Sequence, residues 1–105
     1  MSSNSWSQMY RYTDAEVRRC APAAGGVYRL LYTQNGSTHA FYVGQSNNLA
    51  ERLLAHLSSA DLNACIRRQV QTGNCYFDFA RVSTEAARQQ VEAEEIARLR
   101  PTCNA

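Results

Sequence analysis

Two periods of hydrophobic and polar residues alternate along this chain, and the switches between them divide it into elements. Val27 to Thr33 is rich in branched and aromatic residues, which suit a pleated surface, and reads as a strand. Ser37 to Gly44 reads as a second strand, with Gln34-Asn35-Gly36 as the turn between them. In a three-residue hairpin loop the last residue usually falls in the left-handed region, and Gly36 stands at that place. Such a loop pairs Thr33 with Ser37 and sets Tyr28 directly opposite Tyr42 on one sheet face. A two-residue Asn35-Gly36 loop would put the two tyrosines on opposite faces, because side chains alternate along a strand. Tyr76 to Val82 reads as a third strand.

Elsewhere the period is helical. Thr13-Asp14-Ala15-Glu16 is a capping box, in which hydroxyl and carboxylate satisfy reciprocal N–H groups, and a short helix follows it and stops before Pro22. Asn48, with Glu51 three residues on, caps a helix whose Leu49, Leu53 and Leu57 form an apolar stripe. Arg52 and His56, also four apart, share a neighbouring stripe. A further helix is expected over Ala60 to Gln71, ending at Gly73, and a last one from the Thr84 cap to about Leu99, before Pro101. The expectation is a single α+β (α/β) domain over residues 13–105, with a small three-stranded antiparallel sheet flanked by helices, behind a flexible tail over residues 1–12.

Composition narrows the picture. The length of 105 residues suits one compact core. No apolar run approaches the roughly 20 residues that span a bilayer, and the Ser-rich start lacks the pattern of an export signal, so an intracellular (cytoplasmic) protein with no membrane contact is expected. The net charge of +2 says little about partners, but all 11 basic residues are arginine, whose planar fork suits phosphate. Cys20, Cys65, Cys75 and Cys103 show no C-x-x-C spacing and are expected to be reduced, buried and structural.

Gly26-Val27-Tyr28 and Tyr42-Val43-Gly44 flank the hairpin. Asn48-Leu49, Arg52 and His56 follow, and Glu92, Ile96, Pro101 and Asn104 come near the end. This ordered set, over roughly residues 25–104, resembles the GIY-YIG nuclease superfamily. One tripeptide is a weak signal, whereas the set at these spacings is specific. The resemblance implies a GIY-YIG endonuclease fold and a divalent-metal-dependent endonuclease hydrolysing phosphodiester bonds in DNA. Its residues carry over as follows: Glu92 would hold one Mg²⁺ or Mn²⁺ ion, Arg52 would stabilise the scissile phosphate, Tyr28 would activate the attacking water, and Tyr42 would line the same pocket. His56 could relay the proton. Gly44, Gln45 and Asn104 would contact substrate, with Asn104 closing the site. Many relatives carry lysine where this chain has Gln45, so the site is expected to lose one positive charge.

The chemistry of hydrolysis stands beside the resemblance. It needs a water nucleophile, a base, positive charge at phosphorus and help for the leaving oxygen. A free tyrosine, titrating near pH ~10, is a poor base at neutrality, so Tyr28 needs neighbours that lower that cost. Without the resemblance Glu92, Glu94 and Glu95 read as one solvated helix face. Arg18-Arg19 and Arg67-Arg68 are further candidate phosphate contacts. Two rival readings are a non-catalytic nucleic-acid-binding module of the same fold and a nuclease subunit that takes its specificity from a homodimer or another protein. DNA is expected ahead of RNA. A repair or recombination role is compatible, but substrate class and pathway are not encoded in these motifs.

Overall fold

Thr13 accepts a hydrogen bond from Glu16 N at 3.2 Å and starts α1 (Asp14–Cys20), but the reciprocal half of the expected capping box does not form, because Thr13 N donates to Arg11 O and the Glu16 carboxylate pairs with Arg19. The computed structural model describes residues 5–58 and 63–104. Within them β1 (Tyr10–Arg11) and α1 precede β2 (Gly26–Gln34) and β3 (Ser37–Ser46), then α2 (Leu49–His56) and α3 (Ala64–Gln71). β4 (Cys75–Arg81), α4 (Glu85–Leu99) and a 3-10 turn (Thr102–Asn104) complete the order. Asn48, Asn63 and Thr84 each cap the helix that follows them by accepting a backbone N–H. The start expected for α3 at residue 60 lies outside the described residues.

The sheet is antiparallel with four strands in the order β1-β4-β2-β3, one more than expected. The extra strand comes from the supposed tail. Tyr10 and Arg11 pair with Phe77 and Tyr76, and Ser7 N donates to Phe79 O at 2.8 Å. Tyr12 is buried and its hydroxyl donates to Leu53 O at 2.6 Å. Two paired residues leave almost no pattern in a sequence, which is why the expected boundary at residue 12 lies too far along the chain.

The hairpin departs from the expected register. Asn35 (φ 53°) and Gly36 (φ 78°) form a two-residue loop, so Gln34 pairs with Ser37. By itself that loop would separate Tyr28 and Tyr42 onto opposite faces. A β-bulge restores them to the same one. Leu31 pairs with Ala40 but Leu30 with Tyr42, leaving Phe41 as the extra residue, and beyond it Tyr28 pairs with Gly44. The tyrosines are therefore diagonal neighbours on one face, with ring centroids 6.2 Å apart, rather than directly opposite.

The sheet has a core on each face. Tyr28, Leu30, Phe41 and Phe77 pack with Leu49, Leu53 and Ile66 from α2 and α3 and with Val17 from α1. On the other face Val27, Val43 and Val82 pack against Val91 of α4. A disulfide joins Cys65 of α3 to Cys103, which corrects the expectation that all four cysteines are reduced; Cys20 and Cys75 are free. Residues 38 apart in sequence meet here because α3 and the 3-10 turn both pack beside β3. Among the described residues no helix is long and apolar enough to cross a membrane.

Candidate active site

Tyr28 lies at the centre of a buried group contributed by β2, β3 and α2. Its ring is fully buried, and its hydroxyl lies 2.7 Å from Nε2 of His56, itself only 4% exposed. His56 faces inward because it continues the buried stripe of Leu49 and Leu53 at the end of α2. The Tyr42 ring closes the group, 5.3 Å from His56 between centroids. Gly44 is required at its place because a Cβ there would run into the Tyr28 phenol and the edge of Tyr42. The space left by the missing Cβ at Gly44 is thus taken by the two tyrosine rings.

Electrostatics tie two more predicted residues to this group. Burial pushes the Tyr28 phenol well above its ordinary value, and Tyr42 adds to the rise. A hydrogen bond and positive charge from Arg52 oppose it without overcoming it, and the charge of Glu92 raises it further. Glu92 therefore belongs to the same surroundings although it comes from α4, on the opposite face of the sheet. Its own carboxyl is raised by burial, and it has no cation partner among the described residues. Tyr28, Tyr42, Arg52, His56 and Glu92 are brought together.

Asn104 is fixed through its side-chain amide. Its Oδ1 accepts from Val43 N at 2.8 Å and its Nδ2 donates to Val43 O at 2.9 Å. Strand β3 is the sheet edge, so the side-chain amide satisfies backbone groups that would otherwise have no strand beside them. Both ends of the amide are engaged with Val43, between Tyr42 and Gly44, so Asn104 ties the 3-10 turn to the edge strand. The expected loss of charge at Gln45 is also offset, since Arg88 Nε donates to Gln45 Oε1 at 3.2 Å.

Several features escaped the sequence reading. Glu95 is not part of a solvated face: it is 9% exposed and takes Arg29 Nη1 at 3.0 Å and Arg98 Nη2 at 2.7 Å. Arg29 also forms a bidentate pair with Asp78 at 2.9 and 2.6 Å, and its guanidinium stacks on Trp6 at 3.8 Å. Burial pushes the Glu95 carboxyl up, but Arg98 and Arg29 together outweigh that and hold it below the ordinary carboxylate value. Arg18 and Arg19 pair with Asp14 and Glu16 along α1, which makes them helix-surface pairs before phosphate contacts. Alternation alone placed Arg29 and Asp78 opposite an apolar face, and that was the available signal.

Known proteins share the family and the fold. The family model described as the GIY-YIG catalytic domain matches residues 24–104. The fold is similar to that of the GIY-YIG N-terminal endonuclease domain of UvrC from Thermotoga maritima. Against a tyrosine-to-phenylalanine mutant of that domain bound to its catalytic divalent cation, the TM-score is 0.66 at 24% identity, covering 86% of this chain and 96% of that one. Against the same domain bound to magnesium it is 0.65 at 24% identity, covering 86% and 97%. Identity at this level speaks for the fold alone. No curated protein matches the chain.

Proposed function

The chain belongs to the GIY-YIG catalytic-domain family, and on that premise we propose that it is a divalent-metal-dependent endonuclease hydrolysing phosphodiester bonds in DNA. The observation that carries the reading is the 2.7 Å contact between buried Tyr28 and His56, with Arg52 and Glu92 both acting electrostatically on the same phenol.

Tyr28 cannot work as a free phenolate near neutral pH, because burial favours its neutral form. It can work as a relay. As an attacking water gives a proton to the Tyr28 oxygen, Tyr28 passes its own hydroxyl proton to His56 Nε2, so no buried phenolate accumulates. Arg52 binds the phosphate and balances the charge that builds on its oxygens. Tyr42 orients the phosphate from the far side of the pocket.

Glu92 would hold the cation. A half-buried carboxylate without a basic partner is under-solvated, and a hard divalent ion is a fitting counter-charge. Mg²⁺ and Mn²⁺ keep several waters and bind through few protein oxygens, so one carboxylate completed by substrate phosphate is a sufficient protein share. Among the described residues no cluster of three or more acidic, histidine or cysteine ligands offers an alternative. Bound there, the ion would supply Lewis-acid charge to the phosphate and leaving oxygen. In the magnesium-bound UvrC domain the cation is described as catalytic.

The test is incubation with plasmid, linear, branched and single-stranded DNA, with and without Mg²⁺ or Mn²⁺, beside Glu92→Ala and Tyr28→Phe. Metal-dependent cleavage lost in both variants supports the endonuclease. Binding without cleavage, unchanged in both variants, would overturn it in favour of a binding module.

A further inference from the structure

Arg88 is a buried cation with no carboxylate partner among the described residues. It is 8% exposed, and every hydrogen bond it makes goes to a neutral oxygen. Its Nη1 donates to Val82 O and Ser83 O, both at 3.1 Å, and its Nε donates to Gln45 Oε1 at 3.2 Å. A guanidinium held this way has lost water without gaining a counter-charge, an arrangement that costs stability unless an anion completes it. The space it occupies exists because residue 25 is glycine. A Cβ there would come within 2.5 Å of Nη1.

Two donors are left over. Arg88 offers only N–H groups, so it donates to the oxygen end of the Gln45 amide and leaves the nitrogen end turned away. Neither Gln45 Nε2 nor Arg88 Nη2 has a partner among the described residues. Among the described residues no side-chain nitrogen or oxygen is both fully buried and unpartnered, so both atoms keep some contact with solvent. They also adjoin the candidate site. Gln45 follows Gly44, against which the Tyr28 hydroxyl rests, and Arg88 stands one helical turn before Glu92 on the same side of α4.

We propose that Arg88 positions Gln45, and that Gln45 Nε2 and Arg88 Nη2 together form a cradle for a phosphate oxygen of the substrate backbone. This rests on the DNA reading above and extends it to a second phosphate contact, apart from Arg52. A purely structural Arg88 would need only the two carbonyls that join α4 to the preceding loop. The bond to Gln45 and the open Nη2 are what that role leaves over.

The test uses Gln45→Glu, Gln45→Met and Arg88→Gln in the full chain, with Ca²⁺ replacing Mg²⁺ to hold off cleavage. Gln45→Glu places a carboxylate on Arg88, so the melting temperature should hold or rise while affinity for a short DNA duplex falls about 10- to 100-fold. Gln45→Met should lose affinity by about tenfold without changing the salt dependence. Arg88→Gln should lower the slope of log affinity against log salt by about one. Opposite movement of stability and affinity is not expected of a structural contact. Duplex binding by both Gln45 variants equal to wild type overturns the inference, as does a lower melting temperature for Gln45→Glu. Inorganic phosphate reads the cradle without DNA: it should raise the melting temperature of wild type and not of Gln45→Glu. A phosphate shift with no DNA bound or cut would sink the nuclease reading and leave the cradle standing. No phosphate shift in wild type would sink the cradle, whatever the protein does to DNA.

Discussion

The two faces of the sheet are built from opposite chemistry. Toward α1, α2 and α3 the core is aromatic and aliphatic, and its polar atoms are the hydroxyls of Tyr12 and Tyr28 and the ring of His56. Toward α4 a smaller valine core is ringed by ions: Arg29 with Asp78 and Glu95, Arg88 on Gln45, and Glu92. A hydroxyl can be buried cheaply with one hydrogen bond, whereas each buried charge needs partners on several sides. The first face can therefore shape a proton path of neutral groups, and the second can hold charge. They meet at the edge strand β3, where Tyr42 points to one side and Val43 to the other. That meeting brings the charge of Glu92 within electrostatic reach of Tyr28.

The sharpest way to break this division is to remove the charge alone. Glu92→Ala should lower cleavage about a thousandfold or more while the melting temperature stays within a degree or two, since among the described residues no side-chain hydrogen bond or ion pair depends on it. Kinetics and thermal unfolding on one preparation check it, and a collapsed fold would mean Glu92 belongs to the structural ions. Tyr28→Phe addresses the neutral face. It keeps the ring and deletes the relay oxygen, so cleavage should fall about 10²- to 10⁴-fold. Retained activity would shift the base to another group.

Stability separates the faces as well. Reducing the Cys65–Cys103 bond, or changing Cys103 to Ser, should cost about 2–4 kcal/mol for a loop of 38 residues, read by denaturant unfolding with and without reductant. The smallest effect is expected at Glu95→Gln, about 1–3 kcal/mol at neutral pH, because Arg29 keeps Asp78. Its sign with pH is set by the shift. The folded Glu95 pKa lies below the ordinary value, so its stabilisation is present above the ordinary carboxylate range and is lost as pH falls through the folded pKa. Wild type and Glu95→Gln should converge in acid. A gap that widens there would mean the pairing is not what holds Glu95.

What could be read along the chain was whatever depends on near neighbours. The Thr13, Asn48 and Thr84 caps, the helix periods and the strand runs are set by contacts within a few residues, and they stand where the pattern put them. The order and spacing of Tyr28, Tyr42, Arg52, His56 and Glu92 identified a family for the same reason, since a motif is itself a linear pattern. Pairings across the chain depend on where distant segments finally lie. The bulge at Phe41 shifts the hairpin by one residue and so brings two tyrosines to one face, which no local propensity encodes. Two-residue β1 is a strand only because β4 has a free edge beside it. Cys65 meets Cys103, Arg29 draws in Glu95, and Asn104 grips Val43 over separations of 38, 66 and 61 residues. Composition and spacing decided what chemistry this chain carries. Packing decided which atoms face one another, because a hydrogen bond or ion pair is a matter of a few ångströms that sequence distance does not measure.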